Sequence, residues 1–263
     1  MLLKRENLLF IILGGFFVTN ALIAEFIGGK IFSLEATLGM EPVNWTLFGQ
    51  SGLSFNLTAG VLLWPVVFIM TDIINEYFGR RGVRLLTFLA SGLIAYAFLM
   101  VYMAMEVSPA AFWLDLHQDI DPNIDVAFGR VFGQGLRIII GSLTAFLIGQ
   151  LVDVMVFQRI RKITGEKMLW LRATGSTLVS QLVDSYVVLF LAFYLLPPPE
   201  QRMEFGLVIA LGVVSYCYKF LMALVLTPLL YVVHWGIDLF LGKELAAKLI
   251  ERAAAEEPPL EKV

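Results

Sequence analysis

Residues 56–81 read NLTAGVLLWPVVFIMTDIINEYFGRR. More than twenty residues pass with no basic group, until Arg80 and Arg81 close the run. Asp72 and Glu76 sit inside it. A segment of about 20 predominantly apolar residues crosses about 30 Å of hydrocarbon as a helix. A carboxylate at such depth costs several kcal/mol or more unless it faces protein or a water-filled cavity. The stretch therefore predicts a transmembrane helix with a polar inner face.

The same pattern recurs along the chain. Hydrophobic residues make up 59% of 263 and charged residues 16%, against about 25% charged in a soluble domain. Mean hydropathy is +0.80. Six spans are expected, at 8–27, 56–78, 83–105, 136–157, 169–195 and 205–234. All are read as helices, because a lipid-exposed backbone must satisfy its own hydrogen bonds. The expected fold is all-α: a polytopic membrane protein with a six-transmembrane-helix bundle over about 8–235. Residues 1–263 form one domain, and 253–263 are expected to be a disordered tail. Kinks are expected at Pro65 and Pro228.

Lys and Arg report orientation, since they accumulate on the cytoplasmic side. With both termini inside, 14 fall in cytoplasmic segments, among them Lys4, Arg80, Arg81, Arg159, Lys167, Arg172 and Lys262. Four fall outside: Lys30, Arg130, Arg137 and Arg202. Lys219 lies within a span. The chain is thus expected in the cytoplasmic (inner) membrane, multi-pass, with both ends cytoplasmic. Of the external segments, 28–55 reads as a Gly- and Ser-containing loop, and 109–116 as a short interfacial helix carrying Phe112 and Trp113.

Ionisable groups fall in five of the spans: Glu25, Asp72, Asp153, Asp184 and Lys219. Depths counted from the flanking charges at 1.5 Å per residue put Asn20, Asp72, Gln150, Gln181, Asp184 and Lys219 near the middle of the bilayer. Asn75 lies on the same helix as Asp72, and Asp153 is nearer the boundary. Asp153 and Glu76 have an alternative use, pairing with Arg159, Arg80 or Arg81, while Glu25 lies near enough to its helix end to reach water. The tetrad Gln150-Leu151-Val152-Asp153 echoes as Gln181-Leu182-Val183-Asp184, each after a Gly-Ser pair. Gln and Asp at i and i+3 share a helix face, and small residues admit close helix packing. These eight residues, Asn20, Asp72, Asn75, Gln150, Asp153, Gln181, Asp184 and Lys219, are the candidate substrate-binding set. Carboxylate, amides and one lysine suit a flat neutral heterocycle: a carboxylate accepts paired N–H donors, and an amide or ammonium donates to a carbonyl.

Other classes find little support. The single Cys217 excludes an internal disulfide. No phosphate-binding G-x-x-x-x-G-K-[ST] loop, H-E-x-x-H or G-x-S-x-G motif occurs, so neither ATP hydrolysis nor a familiar hydrolase is indicated. No cofactor, metal or nucleic acid is called for. An intramembrane hydrolase using two aspartates is the alternative of another class. The expected partners are a small molecule and the lipid bilayer, with homo-oligomerisation open.

The run Thr71-Asp72-Ile73-Ile74-Asn75-Glu76-Tyr77-Phe78-Gly79 before an Arg pair resembles the signature of the queuosine precursor transporter family, also known as a vitamin-uptake-transporter family. The resemblance extends through Gly141-Ser142, Gln150, Asp153 and Phe157-Gln158-Arg159-Ile160 to Gly175-Ser176-Thr177, Asp184 and Tyr216-Cys217-Tyr218-Lys219. It implies a six-helix membrane protein similar in outline to the substrate-binding subunits of energy-coupling-factor transporters. It also implies import of deazaguanine precursors of the tRNA base queuosine, such as 7-cyano-7-deazaguanine or 7-aminomethyl-7-deazaguanine. A substrate-binding subunit of an ATPase-dependent vitamin transporter is the nearest rival.

Overall fold

A computed structural model describes residues 4–133, 136–165 and 168–255, leaving the side chains of 136–139 aside. Arg137, Lys167 and Lys262, counted above for orientation, and tail residues 256–263 lie outside this description. Long helices dominate: α1 (Arg5–Ile27), α3 (Trp64–Glu106), α6 (Leu136–Thr164), α7 (Leu169–Leu189) and α8 (Phe205–Leu241). Each contains a stretch long and apolar enough to cross a membrane, so among the described residues there are five such helices. A π-helical segment, Phe190–Leu195, continues α7. The chain is an all-α polytopic membrane protein.

Spans two and three are joined in α3. At 43 residues a straight α3 would run about 65 Å, twice the hydrocarbon thickness. It is not straight, because Gly79 has φ 66° and ψ −173°, a conformation essentially confined to glycine. Contacts with α1 show the consequence. Before Gly79 the two strands of contact run antiparallel, with Gly60 against the Ala24 carbonyl and the Phe78 ring 4.9 Å from that of Phe10. After Gly79 they run parallel: Leu86 packs on Gly14, and the Phe98 ring stacks 5.5 Å from Phe26. A β-carbon on Gly82 would lie 3.6 Å from the Ile74 side chain. On a straight helix, eight residues separate two positions by about 12 Å. The chain reverses at Gly79.

The apolar core joins α1, both limbs of α3, α6 and α8 through residues such as Phe17, Val67, Ile73, Ile94, Phe146 and Phe157. Outer faces carry large apolar side chains as well, among them Ile11, Phe16, Leu85, Leu99, Leu224 and Val225. Apolar outer faces of this kind suit lipid contact. α6 and α7 pack antiparallel and close, with Gly141 against Ala192, Gly149 against Asp184 and Gly175 against Ile160.

Several expectations need correction. Pro65 stands in the first turn of α3, where its missing N–H costs nothing, and kinks nothing; the helix begins at Trp64, after a strand and a 3₁₀ turn at Ala59–Leu62. α8 continues through Pro228 to Leu241. The tail is ordered further than expected: α9 (Lys243–Ala255) packs against α3, and Gly79 leaves room for the Ala253 backbone 3.2 Å from where a β-carbon would stand. Its buried face is Ala246, Leu249 and Ala253.

The 28–55 segment is folded. β1 (Ile31–Ser33) pairs antiparallel with β4 (Asn56–Thr58), and β2 (Trp45–Leu47) with β3 (Gln50–Leu53). Between β1 and β2 lies one turn of helix, α2 (Leu34–Thr37). The β2–β3 turn uses Phe48 and Gly49, both at positive φ, as a type I′ two-residue hairpin turn requires. Glu35 anchors the segment by accepting the Phe55 N–H at 2.9 Å. Burial opposes its charge, but backbone donors and the Ser33 hydroxyl hold the carboxyl below its ordinary range. Leu53 packs on Ala210 and Val214, and Leu57 on Tyr218, so the segment covers one end of α8. The helix expected at 109–116 is present as α4 (Ala111–Leu116), and is followed by α5 (Ile124–Phe132).

Candidate functional site

α7 carries the polar groups that organise the interior. Arg172, Ser176, Ser180 and Asp184 recur every four residues, so they share one face over about 18 Å of helix. The first limb of α3 presents Asp72 and Glu76 to it and α6 presents Asp153, while Thr71 and Asn75 of α3 meet Gln150 and Gln158 of α6. Three tiers result.

The first tier is an ion pair. Arg172 donates from Nε to Glu76 Oε2 at 3.1 Å and from Nη2 to Oε1 at 2.5 Å. Its Nη1 binds the Gly165 carbonyl, and the guanidinium lies 5.8 Å from the Phe157 ring. Arg172 is 1% exposed. Arg172 thus lies buried within α7, and Glu76 takes it as partner instead of the alternatives Arg80, Arg81 and Arg159. A fork-shaped cation matches a carboxylate with two parallel bonds, which is why this pair survives burial.

One helical turn further lies a tier of hydroxyls, amides and carboxyls. Asp72 accepts from Thr177 Oγ1 at 3.2 Å and from Ser176 Oγ at 3.4 Å. Asp153 is fully buried, accepts from Ser180 at 3.0 Å and acts electrostatically on Asp72. Thr71 donates to Gln150 Oε1 at 2.7 Å, and Gln158 donates to Asn75 Oδ1 at 2.5 Å. Asp153 thus spends itself on a serine of α7, not on Arg159. Five atoms here have no hydrogen-bond partner: Gln150 Nε2, Asn75 Nδ2, Gln158 Oε1, Gln181 Oε1 and Asp153 Oδ2. Ser185 Oγ, one turn from Gln181, is a sixth. The large majority of buried side-chain polar atoms in folded proteins have a partner, so this concentration marks the tier as unlike ordinary core.

In the third tier, Lys219 of α8 donates to Asp184 Oδ2 at 2.5 Å, the pairing that their matched depths imply. Glu25 lies beside it, accepting from Ser142 and acting electrostatically with Asp184. Glu25 is buried and does not reach water; Ser142, its partner, carries no sequence signal beyond the Gly-Ser pair. The echoed tetrads face each other but not like to like. Antiparallel packing sets Asp153 against Ser180 and Asp184 against Gly149. Asn20, although buried, turns its amide to the Phe16 carbonyl of its own helix. The candidate residues thus spread along the helix axis instead of lying at one height.

Such an interior can hold a small polar molecule by its edge, between helices and away from water. No group of His, Cys, Asp or Glu side chains among the described residues converges to hold a metal.

The chain is 32% identical over 181 residues to a probable queuosine precursor transporter of Bacillus subtilis, covering 67% of this chain and 72% of the relative. It is 30% identical over 176 residues to the queuosine precursor transporter of Escherichia coli, covering 66% and 70%. The relative from Haemophilus influenzae, a probable queuosine precursor transporter, is 28% identical over 211 residues, 80% of each chain. No solved structure matches significantly. The model of the family described as "Putative vitamin uptake transporter" matches residues 58–233, the stretch that supplies α3, α6, α7 and most of α8. The chain belongs to that vitamin-uptake-transporter family.

Proposed function

We propose that this chain imports deazaguanine precursors of queuosine, 7-cyano-7-deazaguanine or 7-aminomethyl-7-deazaguanine, across the cytoplasmic membrane. The observation that carries the reading is the set of unpartnered buried atoms in the second tier. Gln150 Nε2 and Asn75 Nδ2 offer donors, while Asp153 Oδ2 and Gln181 Oε1 offer acceptors. A guanine-like edge sets adjacent N–H and NH₂ donors beside a carbonyl, the complement of that arrangement. In this reading Asp72, Asn75, Gln150, Asp153 and Gln181 hold the heterocycle. Asp184 and Lys219 bound the site on one side, with Asn20 on the helix that lines it. The queuosine precursor names of the relatives support the same substrate class.

The reversal at Gly79 supports counting α3 twice, which gives six crossings in alternating directions, with outlines similar to substrate-binding subunits of energy-coupling-factor transporters. Both termini then lie on one side, and the excess of Lys and Arg on that side argues that it is cytoplasmic. A cysteine placed at Lys162 should react with a membrane-impermeant thiol reagent only after the membrane is opened. Labelling from outside intact cells would reject this orientation.

Asp72→Asn replaces one acceptor oxygen with a donor facing the ligand's own donors. The unpaired buried group should weaken deazapurine binding by about 2 kcal/mol, roughly thirtyfold in Kd. Calorimetric titration of the purified, folded variant measures this, and unchanged affinity would remove Asp72 from the site.

A further inference from the structure

The Glu76–Arg172 pair has two sides. Asp72 lies one turn from Glu76 on α3, and Ser176 one turn from Arg172 on α7, so the second tier adjoins it directly. On its other side is a cavity of about 400 Å³ that both charged residues line, together with Tyr231, His234, Trp235 and Asp238 of α8. That volume falls within the range of small-molecule sites. Tyr231 and Trp235 are one turn apart on one face of α8 and offer flat apolar surfaces. Asp238 offers a carboxylate: Oδ1 accepts the Tyr77 hydroxyl at 3.0 Å, and Oδ2 lies 3.4 Å from His234 Nδ1. Aromatic faces with a carboxylate and an imidazole at their edge suit a planar heterocycle that carries N–H donors. They do not suit an anionic headgroup, because two carboxylates line the cavity and its arginine is already forked onto one of them.

We infer that this cavity is a second station for the transported heterocycle, and that the Glu76–Arg172 pair is the partition between it and the interhelical site. The inference rests on the transport reading above: the same molecule passes from the buried tier, past the parted ion pair, into the cavity. Trp235 and Asp238 belong to the second station and have no role in the first.

Equilibrium dialysis of the purified full chain against labelled 7-cyano-7-deazaguanine, taken to concentrations a hundredfold above the tighter Kd, tests it. Wild type should approach two molecules per chain. Trp235→Ala, at a residue 65% exposed, should leave the tighter binding within twofold and weaken the second at least tenfold. Asp238→Asn is the independent second variant, with the same expectation. Asp72→Asn should do the reverse, weakening the tighter binding and sparing the second. Saturation at one molecule per chain, or a second site indifferent to both α8 variants, would overturn the second station while leaving the transport reading in place. A cavity that instead retains phosphatidylglycerol through purification, released by Trp235→Ala, would overturn it in favour of a lipid site. No binding at all by wild type would sink the transport reading itself.

Discussion

Lys219→Met, made alone, is expected to lower stability by about 3–5 kcal/mol, because it leaves Asp184 as an uncompensated charge inside the bundle. The ammonium reaches Asp184 Oδ2 at 2.5 Å, and both side chains are largely covered. Glu25, a second carboxyl, stands nearby on α1 and cannot take the ammonium's place. Burying two charges repays little on its own, and replacing such a pair by well-packed apolar residues is often neutral or stabilising. Lys219→Met combined with Asp184→Leu should therefore recover most of the stability lost by either single change. It should not recover ligand binding, if Lys219 turns partly to the ligand's carbonyl when the site fills. Thermal unfolding and deazapurine affinity, measured for both singles and the double, give the result. A double variant no more stable than the singles would dissolve the pair. One that binds normally would make Lys219 a scaffold residue.

Arg172→Met should be at least as damaging. Arg172 is almost wholly buried, and its guanidinium holds both oxygens of Glu76 and the Gly165 carbonyl while lying near the Phe157 ring. Truncation strands a carboxylate with 3% side-chain exposure, again about 3–5 kcal/mol. Arg172→Lys keeps the charge but loses the fork, so it should recover part of the loss and not all of it. Detergent-solubilised protein melted with and without each change measures this. Equal stability for Lys and Arg at 172 would mean the charge alone matters; equal stability for Met would mean the pair stabilises nothing.

These two residues also show where a linear sequence stops being informative. Lys219 was legible: a lysine in the middle of an apolar run needs a buried partner, and depth counting left Asp72 and Asp184 as the candidates. Arg172 was not, since it stands near the start of a hydrophobic span and reads as a boundary charge. Only the antiparallel register of α3 and α7 brings it to Glu76. The helices themselves follow from length and hydropathy, which are local properties. The reversal at Gly79 was visible as a break between two spans, because Arg80, Arg81 and Arg84 interrupt the apolar run there. α9 was missed because Ala246, Leu249 and Ala253 form a narrow apolar face among charges, which gives no hydropathy peak. The small strands around Trp45 escaped for the same reason: three or four residues carry too little alternation to register. Depth counting placed the polar groups at one height, whereas tilt and register spread them into tiers, because each helix was counted from its own flanking charge.

In the transport reading, this one chain carries deazaguanines across a bilayer through its interhelical polar tier. The direct test is counterflow of labelled 7-cyano-7-deazaguanine into proteoliposomes that contain only this protein and are preloaded with unlabelled compound. The prediction is saturable uptake, inhibited by unlabelled 7-aminomethyl-7-deazaguanine, not by vitamins, and strongly reduced in Asp72→Asn. Uptake no faster than in protein-free liposomes, appearing only when ATPase subunits are supplied, would contradict it.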